Sequence, residues 1–367
     1  MDAVTDQDNI FLPYAHGVPQ CRGMIRSCPE DFMVDEIPLV EPDGEGEHLL
    51  LHVEKRDSNT AWVAGTLARH AGVSRMDVSY AGLKDRHALT RQWFSIRLAG
   101  KPEPDWSAIE STEFRVLQTA RHSRKLRVGA LKGNRFRIRV RAFEGDEAAL
   151  NATLNNITRD GIPNYFGEQR FGTDDGNLAS ARALFTGELK RVKREKRGFY
   201  LSAVRSLLFN KVLATRVTAG NWNRPLAGER MMLAGTRSSF PVASVDEEIM
   251  QRLECMDIHT SGPLWGRGES MVSGEVAELE SAVLLPEQFW RDGLERFGLQ
   301  MERRSLRVAV SDLTWDRRGD LLELDFSLPK GCFATTLLRE CIDYHPAAIK
   351  PDQPCASEAV ATPGGRQ

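Results

Sequence analysis

The sequence predicts an α+β fold, a mixed domain whose sheet-forming ends enclose a mostly helical middle. Three observations carry this. Before about residue 160 the chain reads chiefly as strands with one clear helix. From there to about residue 303 the pattern is helical, broken by glycine-rich turns at 262–268. Strand character then returns at 306–310 and 321–328. One mixed domain interrupted by a helical insertion satisfies that order, and 367 residues exceed what a single core usually holds.

Each element has its own reason. Residues 31–37 alternate, with Phe32, Val34 and Glu36 on one side, so they form a strand. The EPDGEGE run at 41–47 is a turn by composition, and LLLHVE at 49–54 is a second strand. Ser58, Asn59 and Thr60 supply an N-cap for a helix running to His70 and ended by Gly72. Its Trp62, Val63, Thr66 and Leu67 follow the helical period. A strand end at 78–82 and a strand at 92–98, with Gln92, Phe94, Ile96 and Leu98 sharing a face, flank the polar loop LKDRHALT.

Residues 135–143 alternate with period two. Phe136, Ile138, Val140 and Ala142 share one face, and Arg135, Arg137, Arg139 and Arg141 share the other. Four like charges on one face need a bound anion or neighbouring carboxylates to offset them. Beyond residue 160, helices are expected at 177–185, at 202–217 with Ser202 as cap, and at 333–344. The tail at 351–367 has no periodicity and reads as disordered.

Composition excludes several classes. Hydrophobic residues at 41% and charged residues at 27% fit a globular chain rather than a disordered one. No apolar run reaches the length of a membrane span, and the acidic N-terminus lacks the core of a secretory signal, so a cytoplasmic protein is expected. The six cysteines form no C-x-x-C and no histidine pair completes a zinc pattern, so reduced thiols and no metal are expected. Phosphate-loop, dinucleotide-binding and common hydrolase motifs are absent.

The net charge of −2 hides segregation. Nine Lys/Arg and no Asp/Glu lie between Arg121 and Arg141, and KRVKREKR at 190–197 has six basic residues against Glu195. Basic stripes on a near-neutral chain suit a polyanion, although charge runs are also ordinary solvated surface.

Asp85 is the residue to single out. It sits in a short loop between two strands, with Lys84 and Arg86 beside it. A carboxylate next to cations stays ionised and can serve as nucleophile or general base. A turn aspartate making local bonds would look the same. His87 reads as an acid–base partner or as a surface histidine. Phe136 next to Asn134 suits stacking on a base, but the alternation groups it with Ile138 and Val140 as core.

These segments together resemble one family. AGLKDRHA at 81–88, followed by Thr90 and Gln92, is similar to the G-x-K-D-x-x-A-x-T motif of the TruD family, the tRNA pseudouridine synthases D. RHSRKLR at 121–127 through KGNRF at 132–136 also resembles that family, as do PNYFGEQRFG at 163–172 and LSAVRS at 201–206. So do PEDF at 29–32 and GCFAT at 331–335. The resemblance runs in order from Tyr14 to Tyr344.

It implies a pseudouridine-synthase catalytic domain with a mixed, mainly antiparallel sheet at 1–159 and 309–350. A mostly helical α/β insertion would occupy 160–308. It implies isomerisation of uridine to pseudouridine in tRNA, at position 13, by a cofactor-free and metal-free isomerase whose partner is tRNA, with no membrane and as a monomer. Asp85 would be the nucleophile. Phe32, Asn134, Phe136 and Phe333 would surround the target base, Arg26 would be a basic residue able to pair with the nucleophile, and Arg26 and Lys84 would count among the substrate-binding residues. Arg124, Lys125, Arg127, Lys132, Arg137 and Arg139 would meet the RNA backbone. The alternatives are the same chemistry on another RNA or position, and an RNA-binding protein without catalysis.

Overall fold

A computed structural model describes residues 11–98, 100–172 and 175–346. The tail expected to be disordered lies outside the described residues. The first stretch carries β1 (Cys21–Ile25), β2 (Phe32–Pro38), β3 (His48–Arg56), α1 (Thr60–His70), β4 (Val78–Tyr80), β5 (Leu89–Arg97), β6 (Phe114–His122) and β7 (Leu131–Gly145). The middle opens with α2 (Glu147–Asp160), β8 (Ile162–Pro163), α3 (Gly176–Thr186) and α4 (Arg194–Thr218). It continues with β9 (Arg230–Leu233), β10 (Ser239–Pro241), α5 (Glu247–Glu254), β11 (Ile258–His259) and β12 (Ser261–Leu264). α6 (Gly274–Leu284), α7 (Gln288–Arg296), β13 (Glu302–Ser305) and β14 (Arg307–Val308) close it. The last stretch holds β15 (Ser311–Arg318), β16 (Leu321–Pro329), α8 (Ala334–Cys341) and β17 (Asp343–Pro346).

The chain folds as two compact units. A sheet unit comprises Arg22–Gly145 and Asp312–Lys330 with residues 344–346. A helical unit comprises residues 11–21, Asp146–Ser311 and Gly331–Asp343. These limits differ from the expected 160 and 308. α2 and α8 pack on one another, and α8 packs on β8, so both helices go with the helical unit.

In the sheet unit the strands run β15-β16-β7-β2-β5-β3-β6, with β1 beside β7 and β4 beside β5. Of the registered pairings, β2 with β5 is parallel and the rest are antiparallel. Leu51, Val53, Phe94 and Ile96 pack against Val63, Ala64 and Leu67 of α1, and all are buried. The alternation of β7 buries Phe136, Ile138 and Val140 but ends one residue sooner than expected. Ala142 has φ 47° and is exposed. Phe143 turns inward in its place and its amide donates to the Asp320 carbonyl.

In the helical unit α4 packs Val204, Leu207, Leu208 and Val212 against Ala181 and Leu184 of α3. It begins at Arg194, two turns before the expected Ser202. The Ser202 hydroxyl is no cap; it accepts a hydrogen bond from Arg170. The short strands β9–β13 fit the mostly helical α/β insertion that the resemblance implied, although the residue patterns marked none of them. Among the described residues Cys21, Cys255, Cys332 and Cys341 are free thiols. Among the described residues no cluster of three or more His, Cys, Asp or Glu is placed to hold a metal ion, and no helix is long and apolar enough to cross a membrane.

Candidate active site

The loop that carries Asp85 leaves β4 at Tyr80 and enters β5 at Leu89. It has no regular hydrogen-bond ladder of its own, so side chains from neighbouring elements must satisfy its backbone. They do. The Lys84 amide donates to the Thr60 hydroxyl at 3.1 Å, and that hydroxyl donates to the Gln92 amide oxygen at 3.0 Å. The Gln92 amide nitrogen then donates to the Gly82 carbonyl at 3.1 Å. Thr60 opens α1 and Gln92 lies on β5, so the loop is tied to two rigid elements.

Beneath it lies Lys55, fully buried on β3. Its ammonium donates to the Ser58 carbonyl at 2.7 Å and to the Asp85 carbonyl at 2.7 Å. Burial pulls its pKa down to about 8, against the nearby charges of Asp85 and Asp57 that favour the ammonium. The backbone of Asp85 is thus fixed from below by a cation, while its side chain remains 36% exposed.

The Asp85 carboxylate is 3.7 Å from the Arg26 guanidinium, an ion pair rather than a tight hydrogen bond. Among the described residues nothing donates a hydrogen bond to it, so its lone pairs face outward. Arg26 has φ 61°, a conformation that side chains other than glycine adopt at a cost of about 1–3 kcal/mol. Its guanidinium carbon stands 4.2 Å above the Phe32 ring, and its buried Nε has no hydrogen-bond partner among the described residues. The strained backbone and the stacked head aim one cation at Asp85.

Lys84 faces the other way. Its ammonium pairs with Glu36 at 2.9 Å and donates to the Asn134 Oδ1 at 2.7 Å, with both charged side chains nearly inaccessible. The register explains the meeting, because Glu36 of β2 lies opposite Asn134 of β7. Lys84 therefore spends its charge inside the protein. Because Asn134 presents its oxygen to Lys84, its NH2 group is left to donate elsewhere.

Of the expected site residues, Asp85, Arg26, Lys84, Asn134 and Phe32 come together in the sheet unit. Phe136 is buried, stacked on Phe326 at 5.4 Å and edge-on to Phe32 at 6.3 Å. That is the core position the alternation indicated, not an open stacking face. Phe333 belongs to the helical unit, partly buried against a cluster with Tyr165 and Phe166. His87 lies at the surface and pairs with Asp57 at 2.8 Å.

The backbone-contact candidates divide in two. Arg124, Lys125, Arg127 and Lys132 are exposed, and among the described residues none meets a carboxylate. The arginine face of β7 has the other resolution that four like charges allow. Arg135 and Arg137 pair with Asp325 at 2.7 and 3.1 Å, Arg139 with Glu323 at 2.9 Å and Arg141 with Asp31 at 2.8 Å. Neighbouring carboxylates offset the row, so the charge pattern at Arg137 and Arg139 no longer calls for a bound anion.

Lys55, Thr60, Gln92 and Glu36 were not expected in the site from the sequence, although Thr60, Gln92 and Glu36 were placed on their elements. A signal existed. On β3 the residues Leu51, Val53 and Lys55 share one parity, and all three are buried. A lysine on the inward parity of a strand cannot be ordinary surface.

The family model described as tRNA pseudouridine synthase D (TruD) matches residues 11–189 and 176–341. A tRNA pseudouridine synthase D from Methylococcus capsulatus is 52% identical over 336 residues, covering 91% of this chain and 95% of that protein. One from Nitrosococcus oceani is 48% identical over 344 residues, covering 93% and 96%. A crystal structure from Methanosarcina mazei, described as tRNA pseudouridine synthase D (TruD), superposes with a TM-score of 0.69 at 26% identity. It covers 91% of this chain and 96% of that one.

Proposed function

The chain belongs to the tRNA pseudouridine synthase D (TruD) family, and from that premise we propose that it isomerises uridine to pseudouridine in tRNA around the carboxylate of Asp85. Position 13 of the tRNA is the site we assign. The reaction breaks the C1′–N1 bond and joins C1′ to C5, and the C5 proton leaves to solvent while N1 gains one. Substrate and product are isomers, so neither oxidant nor reductant enters the balance.

The single observation that carries this reading is the state of Asp85. Its carboxylate is accessible, free of hydrogen bonds among the described residues, and held beside one guanidinium. Its backbone is pinned by Lys55 and by the Thr60–Gln92 relay. A carboxylate so fixed can attack C6, attack C1′ or take a sugar proton; each needs a positioned, unencumbered oxygen. Arg26 keeps a positive charge near the oxygen without covering it. The NH2 group of Asn134 is suited to a uracil carbonyl, oriented by Lys84 from behind. Phe32 and Phe136 form the wall under this arrangement rather than the stacking surface itself.

The target uridine must leave its stack, at a cost of a few kcal/mol. Phosphate contacts offset that cost. In the sheet unit we assign them to Arg124, Lys125, Arg127 and Lys132. In the helical unit the 190–197 block borders an open hollow of about 690 Å3 lined by Lys190, Arg191, Lys193 and Arg197 over Leu184 and Phe297. We take the sheet unit as catalytic and the helical unit as the insertion that adds RNA contacts.

The test is tritium release from tRNA labelled at C5 of uridine, with wild type and Asp85→Asn side by side. Release by wild type that falls at least a thousandfold in the variant, with tRNA still bound, is expected. No release by wild type from total tRNA would leave an RNA-binding protein or an enzyme for another RNA.

A further inference from the structure

The PNYFGEQRFG turn carries two features that the chemistry at Asp85 does not use. Phe166 is a buried ring in the helical unit, and two guanidinium groups lie against it. The Arg304 carbon is 4.1 Å from the ring centre and the Arg170 carbon 5.2 Å. Arg170 also lies 6.0 Å from the ring of Phe333. We propose that Arg170 and Arg304 form a phosphate site for one phosphodiester of the tRNA, an inference that rests on the tRNA reading above.

The argument is one of unmet charge. Among the described residues neither arginine has a carboxylate within 4 Å. Each guanidinium offers five N–H donors. Arg170 spends one at Ser202, at 3.2 Å. Arg304 directs a single nitrogen to the Asn164 side chain and the Gly331 carbonyl. The Nε of each is buried and has no hydrogen-bond partner among the described residues. Burial lowers the pKa of both, that of Arg304 to about 10, and the charge of Arg170 adds to the penalty on Arg304.

Arg170 and Arg304 are partly buried, whereas the buried arginines of this unit are provided for. Arg216 pairs with Glu229 at 3.0 Å and Arg303 with Glu280 at 2.7 Å. Arg307 reaches His259 and two carbonyls. Two neighbouring, partly buried cations that meet no anion among the described residues carry a desolvation cost, and stacking on Phe166 returns only part of it. An anion with several acceptor oxygens would engage the spare donors of both forks, and arginine forks match phosphate geometry. The adjoining rings of Phe166 and Phe333 suit the nucleoside that a phosphodiester brings with it.

The experiment uses the full chain and two variants, Arg170→Gln and Arg304→Lys. Affinity for unmodified tRNA is measured across a series of salt concentrations, and melting temperature is measured with and without inorganic phosphate. For Arg170→Gln the slope of log K against log salt should shrink by about one, the loss of one phosphate contact. Its melting temperature in phosphate-free buffer should equal or exceed that of wild type, since like-charge repulsion is relieved. Phosphate should raise the wild-type melting temperature and leave the variant unmoved. Arg304→Lys, which keeps the charge but not the fork, should weaken binding at an unchanged slope.

An unchanged slope in Arg170→Gln overturns the proposal. So does a melting temperature that falls without phosphate while tRNA affinity holds, because the arginine is then a structural group. Stabilisation by phosphate with no change in slope overturns the tRNA assignment in favour of a free phosphate. None of these readouts needs turnover. Absence of tritium release by a wild type whose salt slope depends on Arg170 would defeat the isomerase reading and leave this site standing.

Discussion

On β7 of the sheet unit Arg135, Arg137, Arg139 and Arg141 stand in a row, and each meets a carboxylate of the same unit. In the helical unit Arg170 and Arg304 lie against one phenylalanine ring and, among the described residues, meet none. The row is conspicuous in the sequence and the pair is not. The difference teaches that charge density along the chain is a poor guide to anion binding. What matters is whether the fold brings a carboxylate to each cation. β16 supplies Glu323 and Asp325 opposite Arg139 and Arg137 in direct register, so that row is balanced by pairing within the sheet.

Lys55 complicates the contrast, because it is a cation in the sheet unit with no carboxylate salt bridge among the described residues. It is satisfied by two carbonyls, one of them that of Asp85. If unpaired buried cations mark function in both units, Lys55→Met should have the largest effect on turnover after Asp85 itself. Letting the loop shift by about 1 Å is enough to lower kcat by about 10- to 100-fold, with tRNA affinity little changed. A kcat within twofold of wild type would break the idea.

The pH dependence has a definite sign. The folded pKa of Lys55 is about 8, below the unfolded value of about 10.4. Between these the unfolded chain binds more protons, so stability rises with pH across that window. Below about 8 both states are protonated and the cost of burying the ammonium is fully present. Asp85, Asp57 and Lys84 are the charges that act on it. Urea denaturation from pH 7 to 10 should show this rise in wild type, and its removal in Lys55→Met.

The paired side of the contrast is tested at Asp31. This carboxylate is fully buried and accepts from Arg141 through both oxygens at 2.8 Å, and from the Cys28 amide. Asp31→Asn leaves Arg141, which is a third exposed, without its anion. A loss of about 2 kcal/mol in unfolding free energy is expected. Catalysis by the folded variant should stay close to wild type, and a selective loss of tRNA binding would instead give the row a part in the RNA surface.

Much of the sheet was legible because strands β2, β5 and β7 alternate cleanly. Phe32, Val34 and Glu36 do share a buried side, as do Gln92, Phe94 and Ile96. The first turns of α4 were missed because KREKRG offers no apolar period to read. The strands β9 to β13 span only two to four residues each, too short for any period. The motif located Asp85, but not what holds it. Lys84, Glu36 and Asn134 meet only through the register of β2 on β7, which no local pattern encodes. Yet the inward parity of each strand carries a polar residue near the site: Glu36 on β2, Lys55 on β3, Gln92 on β5, Asn134 on β7. Buried polar groups at apolar positions require partners, and here the partners form the site.

The smallest effect is expected where the sequence was loudest. Arg137→Gln with Arg139→Gln removes two cations from an outward face that was expected to meet the RNA backbone. If both bound phosphates, the salt slope of tRNA binding would fall by nearly two. The geometry argues for less. Arg137 already shares Asp325 with Arg135 and lies 3.9 Å from Glu323, which pairs with Arg139 at 2.9 Å. To reach a phosphate either side chain would have to leave its carboxylate or hold both anions at once. The double variant also leaves Glu323 without a cation and Asp325 with Arg135 alone, which adds local negative charge and weakens binding of a polyanion without any lost contact. That field effect should lower affinity at low salt by a few fold and fade at physiological salt, where screening acts within about 8 Å. A slope change below one, together with an affinity that converges on wild type as salt rises, fits a paired row. A slope change near two that persists at high salt would place this strand on the RNA and remove the distinction between the two sets of arginines.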